Sequence, residues 1–203
     1  MPLRRSTLVL VTAAAAWLAV VPVARADCPG SEAFVQDAAD RSIAILNAPG
    51  ASDAQRLEGM SKLLFEVADV PLIARIVLGK HWRSATEQQR TAYLDAFRVY
   101  ALDSLAYRFA RLGGEVGFKA LGRCVEDGDD ALIATEATMS TRPQPVRIDW
   151  RVRDSAGQYK LIDVAVEGVS MVVSNRSEFD AVVGRQGLDA LIAQIRGKSA
   201  ERS

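Results

Sequence analysis

One histidine and two cysteines are all that this 203-residue chain offers toward metal binding or thiol and imidazole chemistry. A structural zinc site usually takes four cysteine or histidine ligands, so three such residues do not build one. Ser170, in GVSMV, lacks the second glycine of a nucleophile elbow, and no histidine besides His81 is there to serve it. His81 itself, in GKHWR between two helices, reads as a surface or packing residue. The acidic run EDGDDA lacks the ligand spacing of a twelve-residue calcium loop and reads as a strand-to-strand turn. Gly113, Gly114 and Gly117 make no phosphate-binding signature. Charge of one sign is lacking too: 25 basic residues stand against 25 acidic ones, with no basic stripe, which argues against nucleic acid as a partner.

The chain also lacks an apolar run long enough for a membrane span. The longest, Leu8 to Val21, falls short of the roughly 20 residues a span requires. It follows Arg4 and Arg5 and precedes Ala24-Arg25-Ala26, the order of a basic n-region, a short h-region and an A-x-A cleavage site. Residues 1–26 are therefore expected to be a cleaved signal peptide, and 27–203 a single domain. Asp27 stands where a lipoprotein signal wants a small residue before Cys28. Loss of Arg4, Arg5 and Arg25 leaves the mature chain slightly acidic. In an exported protein Cys28 and Cys124 can pair, tying the mature N-terminus to the interior, or remain two unrelated cysteines.

What is present falls into two halves. Ser31 reads as the cap of a helix carrying Phe34, Val35, Ala38, Ala39 and Ile43, stopped by Asn47-Ala48-Pro49-Gly50. Ser52 and Gln55 form a capping box for a second helix with Leu57, Met60, Leu64 and Val67 on its face. Asp69 caps a short third helix, VPLIARIVL, closed by Gly79 and apolar nearly all round, which implies burial or a lining role. Thr86 and Gln89 open a long helix from about residue 87 to 112, with Phe97, Tyr100, Ala101, Leu105 and Tyr107 on its apolar flank. Beyond Gly113-Gly114 the period changes to two. Strands are expected over 115–124, 131–141, 145–153 and 158–167. In VRIDWRV, Val146, Ile148, Trp150 and Val152 share one face, and Lys160, Ile162, Val164 and Val166 repeat the alternation beside them. Short turns make this an antiparallel meander whose apolar face the helices must cover, an α+β fold. Such a fold can enclose an apolar cavity. Its candidate lining is Ile76 and Val77 from the short helix, Phe97 and Tyr100 from the long one, and Ile148, Trp150, Val164 and Val166 from the sheet. Each is equally an ordinary core residue.

Two stretches resemble a known family. VLGKHWRSATEQQRTAYLDAFRVYALDSLAYRFARLGGE, residues 77–115, is similar to the helical hallmark of the MlaC, or toluene-tolerance, family of periplasmic phospholipid-binding proteins, through Leu78, Gly79, Trp82, Arg83, Thr86, Gln89, Arg90, Phe97 and Tyr107. YKLIDVAVEGVSMVVSNRSEF supplies the second signature, through Asp163, Val166, Glu167, Gly168, Ser170, Met171, Arg176 and Phe179. The hopanoid-associated HpnM branch belongs to the same family and fits equally. One departure is visible: where the family often has Phe-Asp before the short helix, Ala68 precedes Asp69.

The resemblance implies N-terminal helices on a curved four-stranded antiparallel sheet, an NTF2- or cystatin-like shape around an apolar cavity. It also implies a monomer in the periplasm that carries a phospholipid or hopanoid-type lipid as cargo, with no cofactor. The implied partners are an inner-membrane ABC lipid transporter complex and an outer-membrane lipoprotein complex. A helix is expected from Ser170, its first turn adding Met171 and Val172 to the lining and its wet side beginning at Asn175, Arg176 and Ser177. A fifth strand competes for that segment. Arg83 or Arg176 could touch phosphate, although solvated surface is the simpler role. Two other readings stand beside the carrier: an isomerase or dehydratase using Asp163 or Glu167, which would share a strand face, as a base, and an adaptor with a filled core.

Overall fold

The computed structural model describes residues 28–109 and 115–200, and the expected signal peptide lies outside them. Five helices come first: α1 (Pro29–Leu46), α2 (Asp53–Val67), α3 (Val70–Leu78), α4 (Lys80–Ser84) and α5 (Glu87–Phe109). Five strands follow: β1 (Val116–Asp127), β2 (Asp130–Met139), β3 (Arg142–Ser155), β4 (Gln158–Val166) and β5 (Val169–Ser170). Then come α6 (Met171–Gln186) and α7 (Leu188–Ala200). The strands form one open antiparallel sheet in the order β1-β2-β3-β4-β5.

Local signals set most of the helix boundaries. The Ser52–Gln55 capping box forms with both reciprocal bonds, Asp69 accepts from the Leu72 amide at 2.9 Å, and Thr86 and Gln89 cap α5 reciprocally. Gly79 ends α3 with φ of 59°, a conformation that costs a residue with a Cβ more than glycine. Ser31 is not the first cap: α1 starts after Cys28 with Pro29 at its first position, where the missing N–H costs nothing, and Ser31 is buried inside the helix. The last described residue of α5 is Phe109, so the expected stop at Gly113-Gly114 lies outside the described residues, and Tyr107 is 46% exposed rather than part of the packed flank. Neither α4 nor α7 was expected. Yet Leu188, Leu191, Ile192 and Ile195 of α7, spaced by three and four, are among the most buried residues of the chain.

The sheet differs from a plain four-stranded meander in two ways. Val169 and Ser170 add a two-residue fifth strand through the tight turn at Glu167-Gly168, both at positive φ, before α6 begins. The competing strand and helix readings of that segment are thus both realised, at different residues. Second, β4 carries a bulge at Ile162: Arg151 pairs with Asp163, but Val152 pairs with Leu161. The extra residue switches parity, so Leu161, Val164 and Val166 stand opposite Val152, Trp150 and Ile148. The expected row of Lys160, Ile162, Val164 and Val166 is broken there.

Layering follows from the contacts. Helix α1 crosses the sheet, α2, α3 and α6 meet it at β4, and α5 lies outside them, packed on α7, α3 and α2. The core is aromatic at its centre. Tyr93, Phe97, Tyr100 and Phe179 stack edge-on and tilted within 5.5–6.4 Å, and the fully buried Tyr93 hydroxyl donates to the Ala74 carbonyl at 3.0 Å. Burial pushes the Tyr93 phenol far above its usual range, with Tyr100 adding to the effect. Cys28 and Cys124 form a disulfide that ties the start of α1 to β1 across 96 residues of chain.

Candidate functional site

Because α5 is held off the sheet by α2, α3 and α6, a gap is left between α5 and β4. It forms a cavity of about 260 Å³. Leu64 and Ala68 close one side, Val70 and Ile73 of α3 form a second, and Phe97, Ala101 and Leu105 of α5 a third. Leu161, Val164 and Val166 supply the floor, and Met171 and Val172 the remaining side. The α5 set follows a strict four-residue step, which places it along one line of the helix. The β4 set needs the bulge at Ile162, without which Leu161 and Val164 would point to opposite faces.

The corner between β4 and α6 is held by Asp163. Its carboxylate accepts the Ser170 hydroxyl and the backbone N–H of Val172, at 3.0 Å in the latter case. Ser170 in turn caps α6 by accepting from the Val173 amide at 3.0 Å. A carboxylate at a helix N-terminus satisfies orphan N–H groups and complements the helix dipole. Similarly, the α2–α3 junction is pinned to the floor: Asp69 N–H donates to the Leu161 carbonyl at 3.0 Å, and Ala68 bridges to Leu161 in extended conformation. Ala68 faces the cavity, so a larger side chain there would take up its volume.

Six of the ten residues read as lining meet the cavity: Phe97, Tyr100, Val164, Val166, Met171 and Val172. Four do not. Val77 is 1% exposed and belongs to the core, with Ile76 packed against it. Trp150 donates its indole N–H to Thr135 at 2.8 Å and packs on Phe118, and Ile148 pairs across the sheet with Val166. Helices α2, α3 and α6 descend on β4, so among the described residues it is that strand which reaches the gap. Sequence reasoning missed Leu64, Val70, Ile73, Ala101, Ser104, Leu105, Leu161, Asp163 and Asn175 as lining. The signals that could have found Ile73 and Ser104 are helical steps: Ile73 stands three positions before Ile76, and Ser104 four after Tyr100. Asn175 was placed on the wet side of α6, whereas it faces the cavity and accepts a hydrogen bond from the Tyr100 hydroxyl at 2.9 Å. Val173, in the same first turn of α6, is 65% exposed.

The residues weighed for chemistry are otherwise engaged. Glu167 leaves the strand in the β4–β5 turn, where its carboxylate accepts from the Arg147 amide at 2.7 Å, so it and Asp163 do not form a paired base. His81 contacts Asp180 at 2.7 Å, and Lys80 pairs with the same carboxylate, holding it below the usual aspartate range. Asp127 and Asp130 of the acidic turn are bound by Arg151 and Arg153. Among the described residues, no group of three or more His, Cys, Asp or Glu side chains could hold a metal ion. Neither Arg83 nor Arg176 lines the cavity. Arg176 lies against Gly79, where a Cβ would come within 2.9 Å of its Nε.

A two-layer α+β frame with an apolar cavity and a saturated carboxylate beside it is an architecture suited to containing a small molecule. The chain belongs to the MlaC family: the profile described as MlaC protein matches residues 36–197. The fold is shared with a solved structure, a phospholipid-binding protein from Ralstonia solanacearum in complex with a phospholipid. That chain is 20% identical, with a TM-score of 0.73 over 84% of this chain and 97% of its own length. Among the described residues no helix is long and apolar enough to cross a membrane.

Proposed function

We propose that this protein is a periplasmic lipid carrier, which after loss of residues 1–26 binds the acyl chains of a phospholipid between α5 and β4. The observation that carries this reading is the cavity itself, predominantly apolar and framed by four helices and one strand. Each methylene hidden from water is worth about 0.8 kcal/mol, so a long-chain lipid will not cross an aqueous space unaided. An apolar pocket exchanges one nonaqueous environment for another and needs no covalent step. Family membership and the phospholipid held by the Ralstonia protein support the same reading.

The cavity of about 260 Å³ is at the small end for small-molecule pockets, roughly 300–1,000 Å³, and loading in this reading widens it by moving a wall. Helix α3 is the wall we assign, because it is short and bounded by Ala68-Asp69 and Gly79. The polar headgroup stays in water, consistent with a lining that among the described residues contains no arginine or lysine. Cargo is taken up from an outer-membrane lipoprotein complex and handed to an inner-membrane ABC transporter complex, or the reverse. A hopanoid-type lipid is the alternative cargo. Native mass spectrometry of protein purified from the periplasm, followed by lipid extraction, tests this. Stoichiometric phospholipid is the expected result. An empty protein that also takes up nothing from phospholipid vesicles would refute it.

A further inference from the structure

The cavity is apolar except where four polar side chains reach it: Tyr100 and Ser104 from α5, Asp163 from β4 and Asn175 from α6. Asp163 is saturated by the Ser170 hydroxyl and the amides of Val164 and Val172. Tyr100 donates its hydroxyl proton to Asn175 Oδ1, which orients the amide. Asn175 Nδ2 then retains both of its hydrogens, since a carboxamide offers two donors as well as an acceptor oxygen. Ser104 lies one turn beyond Tyr100 on the same line of α5. Neither its hydroxyl nor Asn175 Nδ2 has a protein partner among the described residues.

Two donors facing an otherwise apolar space lose free energy when water leaves, unless the occupant brings an acceptor. Given an acyl lipid in the cavity, which is the carrier reading above, the acceptor nearest the hydrocarbon is the ester carbonyl oxygen where each chain begins. We propose that Asn175, held in orientation by Tyr100, and Ser104 bind this ester carbonyl. The cavity thereby selects ester-linked acyl lipids over lipids whose apolar body carries no carbonyl. A fused-ring hydrocarbon lipid would leave both donors dry and bind less well for that reason. Asn175 and Ser104 are specificity residues, and Tyr100 is a positioning residue that acts through Asn175.

The test compares two phospholipids that share headgroup, phosphate and chain length and differ only in linkage: dipalmitoyl phosphatidylglycerol and its dihexadecyl ether analogue. Competitive loading onto the mature protein is read by native mass spectrometry. Wild-type protein should favour the ester lipid by about fivefold, the worth of one net hydrogen bond. Asn175→Leu and Ser104→Ala should each bring that ratio toward one while still binding the ether lipid, and Tyr100→Phe should lower it partway. Equal loading of both lipids onto wild-type protein overturns the proposal and leaves the carrier reading intact, whether or not the variants fold. If Asn175→Leu then weakens both lipids alike, the amide serves the phosphate instead. Failure of either lipid to load overturns the carrier reading, and this inference with it.

Discussion

Asp163 on β4 accepts the hydroxyl hydrogen of Ser170, the residue that caps α6. One carboxylate thus fixes the angle at which the last wall of the cavity leaves the sheet. Replacing it removes an acceptor from three donors at once, the Ser170 hydroxyl and the amides of Val164 and Val172.

Asp163→Ala is therefore expected to lower stability by about 2 kcal/mol, since a buried donor left unsatisfied costs about 1–3 kcal/mol and these donors are partly buried. Urea unfolding measures this. A loss below about 0.5 kcal/mol would show that the corner is held by other means.

Asp130 gives stability a pH dependence. Burial alone would raise its pKa, but hydrogen bonds from Arg153 and Arg151 outweigh burial and leave it below the ordinary aspartate value. A depressed folded-state pKa contributes stability that is fully present above the unfolded value near 4 and fades as pH falls through the folded one. Asp130→Asn should cost of order 1 kcal/mol at pH 7, because both guanidiniums are partly solvated, and much less at pH 2. A stability gap that does not change between the two pH values would exclude this linkage.

The Cys28–Cys124 disulfide closes a loop of 96 residues. In the chain-entropy account its loss costs about 4–5 kcal/mol. Thermal unfolding with and without reductant, and of the Cys28→Ser, Cys124→Ser double variant, should show a drop of that order. Near-identical midpoints would mean that the unfolded chain is constrained in other ways.

Ala101 stands on the α5 line that faces β4, between Phe97 and Leu105. Ala101→Trp should fill the gap and reduce lipid loading more than tenfold in the vesicle assay, with circular dichroism unchanged. Full loading of a folded variant would place the lipid elsewhere.

A crosslink between α3 and α5 should leave bound lipid in place but stop its exchange with vesicles, because it fixes the wall assigned to move. Unimpaired exchange in the crosslinked protein would assign the opening to another element.

Much of the helical half was legible because its signals are local. The caps at Ser52, Asp69 and Thr86 each depend on a residue three positions away or nearer, and each forms as read. The first helix shows the limit of that logic: Ser31 is a good cap chemically, but Pro29 begins a helix more readily than it continues one, and α1 starts there. Helix α7 went unseen because its burial against α5 comes from residues a hundred positions away.

The cavity was half legible. Phe97 and Tyr100 could be found from helical spacing, and Met171 and Val172 from the family resemblance and the helix it implies from Ser170. Trp150 and Ile148 could not be separated from Val164 and Val166, since all four alternate correctly along their strands. Choosing between them needs to know which strand the helices meet.

By itself, then, the sequence determined the periods, the caps and turns, and hence an α+β chain with helices before sheet, because each depends on neighbours within a few residues. Tertiary structure alone decided the bulge that turns Leu161 inward, the seating of α2, α3 and α6 on β4, and the turn of Asn175 toward Tyr100. Those depend on which surfaces meet across the fold, and a gap between two elements has no local pattern by which to be read.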